Sequence, residues 1–287
     1  KKEYSGGFLG NNDLAAGTSK RYSAKLLGTQ FTDHTRFTLF ANANNINETK
    51  SLTEDASRRE QDAGTGLVST KAVGMELLLE NAEATRKNIL SGKLSGMDGE
   101  TNSRTTSEAF LSAGNSYGRA LSNNRTQSLD VNVKNSFTLM KPFFVFSFSQ
   151  LTYNDADNNQ QGKSGTFQAN PEYLGGVEEI LNKLWAPHLS PDIAGIGVNR
   201  QMSEGIGTRR NFSVETSNYV SLKLPWGDFI RYGVDVTYSR VQNKTFSNNR
   251  FDYLQTAMAP DNRNQYDSEP RHGYTYQIRA NYDFRLG

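Results

Sequence analysis

Apolar and polar residues alternate with a period of two along several stretches of this chain, the pattern of strands whose two faces meet unlike surroundings. The cleanest run sets Tyr274, Tyr276, Ile278, Ala280, Tyr282 and Phe284 against Thr275, Gln277, Arg279, Asn281, Asp283 and Arg285. A second sets Ile230, Tyr232, Val234, Val236 and Tyr238 against Arg231, Gly233, Asp235, Thr237 and Ser239. Leu129, Val131, Val133, Phe137 and Leu139 oppose Asp130, Asn132, Lys134, Ser136 and Thr138, with Asn135 interrupting the apolar side. Phe212, Val214, Val220, Leu222 and Leu224 oppose Ser213, Glu215, Ser217, Ser221 and Lys223. Weaker alternation marks 37–43, 73–79, 90–96 and 144–148.

Two kinds of connection alternate between these runs. Those at 33–35, 83–86, 140–142 and 225–228 are tight, whereas 46–65, 154–208 and 244–272 are long and polar. A soluble sandwich has no reason to gather its long loops at one end. Outer-membrane barrels do so, with short periplasmic turns and long extracellular loops. The predicted fold is therefore all-β, an antiparallel transmembrane β-barrel segment of about ten strands spanning 1–287. Between 95 and 125, where Gly, Ser, Asn and Thr dominate, one long strand pair is expected to reach beyond the membrane.

The longest loop, taken as an insertion over about 155–208, holds a helix at about 171–186. Leu174, Val177, Ile180, Leu181, Leu184 and Trp185 recur at helical spacing between Pro171 and Pro187. Such a helix either folds into the barrel mouth, meets a partner, or caps a small core of the loop itself.

Composition fits this reading. Hydrophobic residues make up 35% and mean hydropathy is −0.68. No run approaches the roughly 20 apolar residues of a membrane helix. Aromatics nevertheless reach 11%, as expected where strands turn one face to lipid and hydropathy averages out. Tyr4, Tyr153, Trp226, Tyr232, Tyr238, Tyr274 and Tyr282 suit the interfacial girdles of a barrel, because amphipathic rings favour the headgroup level. Tyr253 and Tyr266 suit carbohydrate stacking in loops. A net charge of +2 implies no strong electrostatic partner, and the absence of a basic stripe interleaved with aromatics excludes nucleic acid. With no cysteine, disulfides and thiolate metal sites are excluded. The opening Lys-Lys-Glu-Tyr-Ser-Gly-Gly has no apolar h-region, so an exported chain is expected to begin upstream of it.

Several segments carry a resemblance. They are Lys2-Glu3-Tyr4-Ser5-Gly6-Gly7-Phe8-Leu9-Gly10, Phe31-Thr32-Asp33-His34-Thr35-Arg36, Leu39-Phe40-Ala41-Asn42-Ala43-Asn44-Asn45-Ile46-Asn47, and Ser107-Glu108-Ala109-Phe110-Leu111 with Asn124-Arg125 after it. These resemble the TonB-dependent receptor-type outer-membrane barrels common in Bacteroidota, at the point where the barrel follows the plug. The resemblance spans roughly 1–167. It implies a barrel of about 22 strands in the Gram-negative outer membrane, importing bulky nutrients with energy passed through TonB. The implied partners are outer-membrane lipid, the plug and remaining strands of the same receptor, TonB, and a surface lipoprotein. Neither plug nor TonB box is seen in the chain, and no C-terminal aromatic strand closes it, so it is expected to be the front part of such a barrel.

Chemistry is sparse by comparison. Of three histidines, His34 falls in a tight turn, His188 follows the loop helix and His272 precedes the last strand, near Asp267 and Glu269. None has the spacing of a triad or metal site. Asp155, Asp157, Asn158 and Asn159 could supply alternate oxygens to calcium, but the stretch lacks the glycine and distal glutamate of an EF-hand and reads as a polar loop. The Gly195-Ile196-Gly197 and Gly205-Ile206-Gly207 stretches do not lie between strand and helix as phosphate loops must, and read as loop. No enzyme activity and no cofactor are expected. The working residues are instead polar ones that period-two alternation turns to the lumen: Lys25, Arg231, Asp235, Arg279 and Asp283. Ligand uptake is the leading function. A non-transporting barrel serving an assembly or secretion complex is the alternative, and an omptin-like barrel protease the third.

Overall fold

The computed structural model describes residues 6–46, 67–110, 112 and 114–284. Ten strands form one antiparallel sheet in sequential order, each pairing with its neighbours in the chain. They are β1 (Gly6–Ala16), β2 (Tyr22–Thr32), β3 (Thr35–Asn44), β4 (Leu67–Glu80), β5 (Arg86–Ala109), β6 (Ser116–Leu139), β7 (Phe144–Phe167), β8 (Gly197–Lys223), β9 (Phe229–Tyr253) and β10 (Asp261–Asp283). β1 and β10 are the two edges and do not pair with each other.

Side-chain chemistry at the tight turns sets the hairpins. Thr32 Oγ1 accepts the Thr35 N–H at 3.0 Å, and Asn81 Oδ1 accepts the Arg86 N–H at 2.7 Å. Gly227 turns the chain between β8 and β9 at φ 101°, where a Cβ would be strained.

Following the ladder partners from strand to strand assigns every side chain to one of two faces. Leu39, Met75, Gly92, Val133, Leu151, Val214, Tyr238 and Tyr274 form one hydrogen-bonded row. They share a face with the other apolar residues of the alternating runs. This face carries an apolar belt in the half of the sheet nearer the tight turns, interrupted across β6–β8 by Asn135, Ser147, Ser149, Thr216 and Asn218. Its side chains stay open: Val73 is 43% exposed, Met75 45% and Leu129 43%. Among the described residues only Phe167, Ile180, Leu181, Leu184 and Ile193 form a buried apolar core, and all five belong to a small cap at the far end. Apolar side chains in a soluble sheet would be hidden against a second layer; here they are not.

The cap connects β7 to β8. A 3-10 turn at Pro171–Leu174 leads into α1 (Val177–Leu184) and α2 (Pro191–Ile196). Val177, Ile180, Leu181 and Leu184 fall on one stripe of α1, with Glu178 and Glu179 in its first turn and Lys183 in its last, the arrangement the helix dipole favours. Leu184 settles over Gly165 of β7, where a Cβ would collide with it. The cap thus packs on the belt-side face, well above the belt, around its own core with Tyr117, Leu121 and Leu254. It does not lie over the polar face.

Three expectations need correction. The long loops at 154–208 and 244–272 are mostly strand, since β7 continues to Phe167, β8 starts at Gly197, β9 continues to Tyr253 and β10 starts at Asp261. The insertion at about 155–208 accordingly shrinks to 168–196, and Asp155–Asn159 and Gly205–Gly207 lie inside strands. Alternation reports unlike faces rather than pairing, and beyond the belt both faces are polar, so the signal fades while the ladder goes on. The single helix at about 171–186 is a 3-10 turn followed by two short helices, of which α1 ends at Leu184. On β7 the rings depart from the belt: Phe144, Phe146 and Phe148 share the polar face with Ser221, Tyr219 and Ser217, their ladder partners. The long pair β5–β6 covers the 95–125 interval as expected. Tyr4, most of the 46–65 connection and Arg285 lie outside the described residues.

Candidate functional site

Four of the five polar residues singled out by alternation meet in cross-strand pairs on β9 and β10. Arg231 pairs with Asp283 at 2.9 Å. Arg279 and the Ser217 hydroxyl both donate to Asp235. Lys25 lies on the same face but far away, on β2 opposite Asp13 and Asn42. Arg36 and Glu76 make a further pair there, joining β3 to β4. This face is thus a charged and hydroxylated wall cross-linked between strands. It is interrupted at the tight-turn end by Phe144, Phe146, Phe148 and Tyr219, with Phe144 and Tyr219 edge to face at 5.9 Å.

The opposite face reads in layers from the tight turns upward. Trp226 donates to Asp228 at 2.9 Å, and the Tyr282 hydroxyl also reaches Asp228. Above them comes the aliphatic belt, then an aromatic level formed by Tyr153, Phe212, Tyr238 and Tyr274 on adjacent strands, with Phe212 and Tyr238 edge to face at 6.2 Å. Polar residues follow. Arg125 grips Asp98 through two bonds of 3.1 and 2.8 Å, and its guanidinium holds that carboxyl below the usual carboxylate range. The eight steps from Tyr274 to Tyr282 correspond to about 27 Å along the strand, at ~3.4 Å per residue.

Highest on this face, the cap is tied down by arginines that sequence reasoning missed. Arg119, 3% exposed, donates to Asn170 Oδ1 at 3.1 Å. Arg200 donates to the Leu184 carbonyl at 2.7 Å and to Asp252 at 2.8 Å, and stacks 4.6 Å from the Trp185 ring centre. Arg250 shares Asp252. Burial pushes the Asp252 carboxyl upward, but Arg250 and Arg200 together outweigh it and leave it below its ordinary value. The alternate spacing of Arg250 and Asp252 was the one available signal. Beneath α1 a cleft of about 420 Å³ is lined by amides and charges, including Asn102, Arg104, Asn123, Gln161, Lys163 and Glu204.

Among the described residues no group of three His, Cys, Asp or Glu side chains could hold a metal ion. Asp155, the first of the candidate calcium oxygens, faces Arg210 at 3.4 Å and accepts from the Tyr153 hydroxyl at 3.0 Å. His272 lies inside β10 opposite Arg240. Tyr253 ends β9 and Tyr266 lies within β10, so neither stands in a loop. No helix is long and apolar enough to cross a membrane among the described residues, which says nothing of strands. Compared with protein-family models, with curated proteins and with solved structures, the chain finds no match.

Proposed function

We propose that this chain is part of an outer-membrane β-barrel of the TonB-dependent receptor type, taking part in ligand uptake. The carrying observation is the exposed apolar belt on one face, bounded by aromatic levels and, outside the Phe144–Phe148 stretch of β7, backed by a polar face with cross-strand ion pairs. Lipid is the surrounding that makes such a face stable, and a watery lumen suits the other. On this reading Arg231, Asp235, Arg279, Asp283 and Lys25 line the lumen. The strands of β5–β10, 23 to 27 residues long, exceed the ~9–11 needed to cross and stand clear of the outer leaflet, with the cap on their outside. The receptor type rests on the sequence resemblance, and the transport role on that type.

The placement of the cap supports a second reading. A helix pair fixed to the outer side of the wall leaves the polar face open, but also offers a lateral surface to a partner, as a scaffold barrel in an assembly or secretion complex would. Stable co-purification of a partner lost on disrupting the cap, with ligand uptake unchanged, would favour the scaffold.

Topology tests the shared part of both. With cysteine at Met258, between β9 and β10, and at Glu83, between β4 and β5, a membrane-impermeant maleimide on whole cells should label the first and spare the second. Equal labelling, or labelling of the Glu83 position alone, refutes the orientation.

A further inference from the structure

We propose that the middle of the belt on β6–β8 is an interface, within the membrane, between two copies of this chain. The proposal rests on the membrane reading and adds a partner to it. Asn135 of β6, Ser149 of β7 and Thr216 of β8 lie side by side in one ladder row, with Ser147 and Asn218 paired in the row beside it. All five share the belt-side face with Val133, Leu151 and Val214, the next row up. Asn135 is the third of six belt-side positions from Leu139 to Leu129, and Asn218 and Thr216 are the third and fourth from Leu222 to Phe212. The belt is therefore polar at its mid-depth, where hydrocarbon penalises polar groups most.

Part of this polarity is satisfied within the sheet. The Ser147 hydroxyl donates to Asn218 Oδ1 at 2.7 Å, Asn218 Nδ2 donates to Thr216 Oγ1 at 3.1 Å, and the Ser149 and Thr216 hydroxyls share a bond of 3.2 Å. Asn135 is left out. Its amide oxygen is turned inward without a hydrogen bond, and among the described residues its nitrogen finds no partner either. No water stands in at the midplane, so a second protein is what can supply the missing bond. Apolar burial does not drive proteins together in lipid, and small or polar side chains mark the surfaces that meet there.

The occupant is a second copy because the patch complements itself. It is neutral, and its amides and hydroxyls both donate and accept, so the same residues across a two-fold axis supply what Asn135 lacks. The four strands β5–β8, at ~4.8 Å spacing and over about ten steps of ~3.3 Å, present about 600 Å² per copy, the lower end of stable interfaces. The cap does not obstruct the approach. Leu121, which packs against the core of the cap, lies about 46 Å along β6 from Asn135, and the inclination of barrel strands turns that into roughly 30 Å sideways. A two-fold axis along the membrane normal sends the two caps to opposite sides.

The test uses full-length protein in native outer membranes, with a single cysteine at Ser149 or, as a control on the same face, at Leu26 of β2. A short membrane-permeant bismaleimide should convert Ser149→Cys to a band of twice the mass and leave Leu26→Cys as monomer. Extracted in mild detergent, wild type should sediment as a dimer. Asn135→Leu should weaken dimerisation about tenfold, the effect of losing one average membrane hydrogen bond from each copy. The same substitution makes the belt more apolar, so its heat-modifiable folded band should persist; loss of that band would make Asn135 a structural residue of the wall and overturn its part in the interface. Cross-linking preferentially through Leu26→Cys, or through neither position, overturns the interface itself. A cross-linked band of any other mass overturns the second copy as occupant, and unchanged dimerisation of Asn135→Leu overturns the role of the amide. Failure of the protein to fractionate with outer membranes would instead overturn the membrane reading beneath it.

Discussion

An arginine placed in the belt should damage this protein far more than the same arginine placed a few residues away on the other face. On β9 the belt runs from Ile230 to Tyr238, with Val234 at its midpoint, about 13 Å along the strand from either end at ~3.3 Å per residue. Val234 shares its face with Asn218 and Ile278, its ladder partners. Thr237 points the other way, directly opposite Glu215, which would welcome a cation. Arginine facing lipid at the midplane costs about 2–4 kcal/mol, equivalent to roughly 30- to 1,000-fold in a folding equilibrium. At position 237 the guanidinium meets water and a carboxylate, for a change of about 0–1 kcal/mol in its favour. The assay is folding of the full-length protein into lipid vesicles, followed by the heat-modifiable shift on gels and titrated with urea. Val234→Arg should lose most of the folded band while Thr237→Arg keeps it. If Thr237→Arg is the more damaging, the polar face is the one in an apolar medium and the membrane reading fails.

Other consequences follow from the cap and the glycines. Gly165→Val puts a side chain where Leu184 sits, so it should destabilise the cap by about 1–3 kcal/mol; faster hydrogen exchange over 171–196 with unchanged exchange in β9 would show it. Asp252→Asn removes the carboxylate shared by Arg200 and Arg250 and should loosen the same region by about 1–3 kcal/mol, read by protease nicking at Lys183. Because the folded Asp252 carboxyl lies below its ordinary value, its contribution is complete above pH ~4, the unfolded range. It is lost progressively as pH falls from there through the folded value, so wild-type cap exchange, corrected for its intrinsic pH dependence, should accelerate over that interval and the Asn variant should not respond. Gly74→Val should impair assembly, since a Cβ there meets the Phe40 ring and, at 2.9 Å, the Gly92 carbonyl.

How far the sequence revealed this arrangement depended on what lay on either side of each strand. Within the belt, one face is apolar and the other polar, so Ile230–Tyr238 and Tyr274–Tyr282 declared both strand and face. Above it, Asp157–Lys163 and Gln242–Thr245 have no apolar side chain on either face, alternation vanishes, and real strands looked like loop. At 144–148 Phe144, Phe146 and Phe148 alternate with Val145 and two serines, a run that marked a strand without fixing its face, and the ladder puts the rings opposite the belt. The pairs Arg231–Asp283 and Asp235–Arg279 were half legible. Their face followed from alternation, but their partnership required the register of β9 on β10, which the 254–260 connection sets. The Arg200–Asp252 contact across 52 residues had no local signature, and Arg119 looked like any strand arginine until the cap covered it.

The slant of the ladder bears on what must lie beyond the edges. The row that begins at Leu39, four residues into β3 from Thr35, ends at Tyr274, nine residues short of Asp283 at the tight-turn end of β10. Rows that climb relative to the turns mean strands inclined to the belt, the stagger a sheet needs in order to curl toward closure. Yet among the described residues no strand pairs with the outer edge of β1 or of β10, and in hydrocarbon each unpaired backbone group costs several kcal/mol. Summed along an edge, this rivals the roughly 5–15 kcal/mol that holds an ordinary domain together. If the belt lies in lipid, strands from elsewhere must cover both edges, and these 287 residues produced alone should give no protease-resistant, heat-modifiable species in detergent. Recovery of such a species, with β1 cross-linking directly to β10 through engineered cysteines at Phe8 and Ile278, which share the belt-side face, would mean that ten strands close on themselves and that the larger receptor-type barrel is the wrong frame.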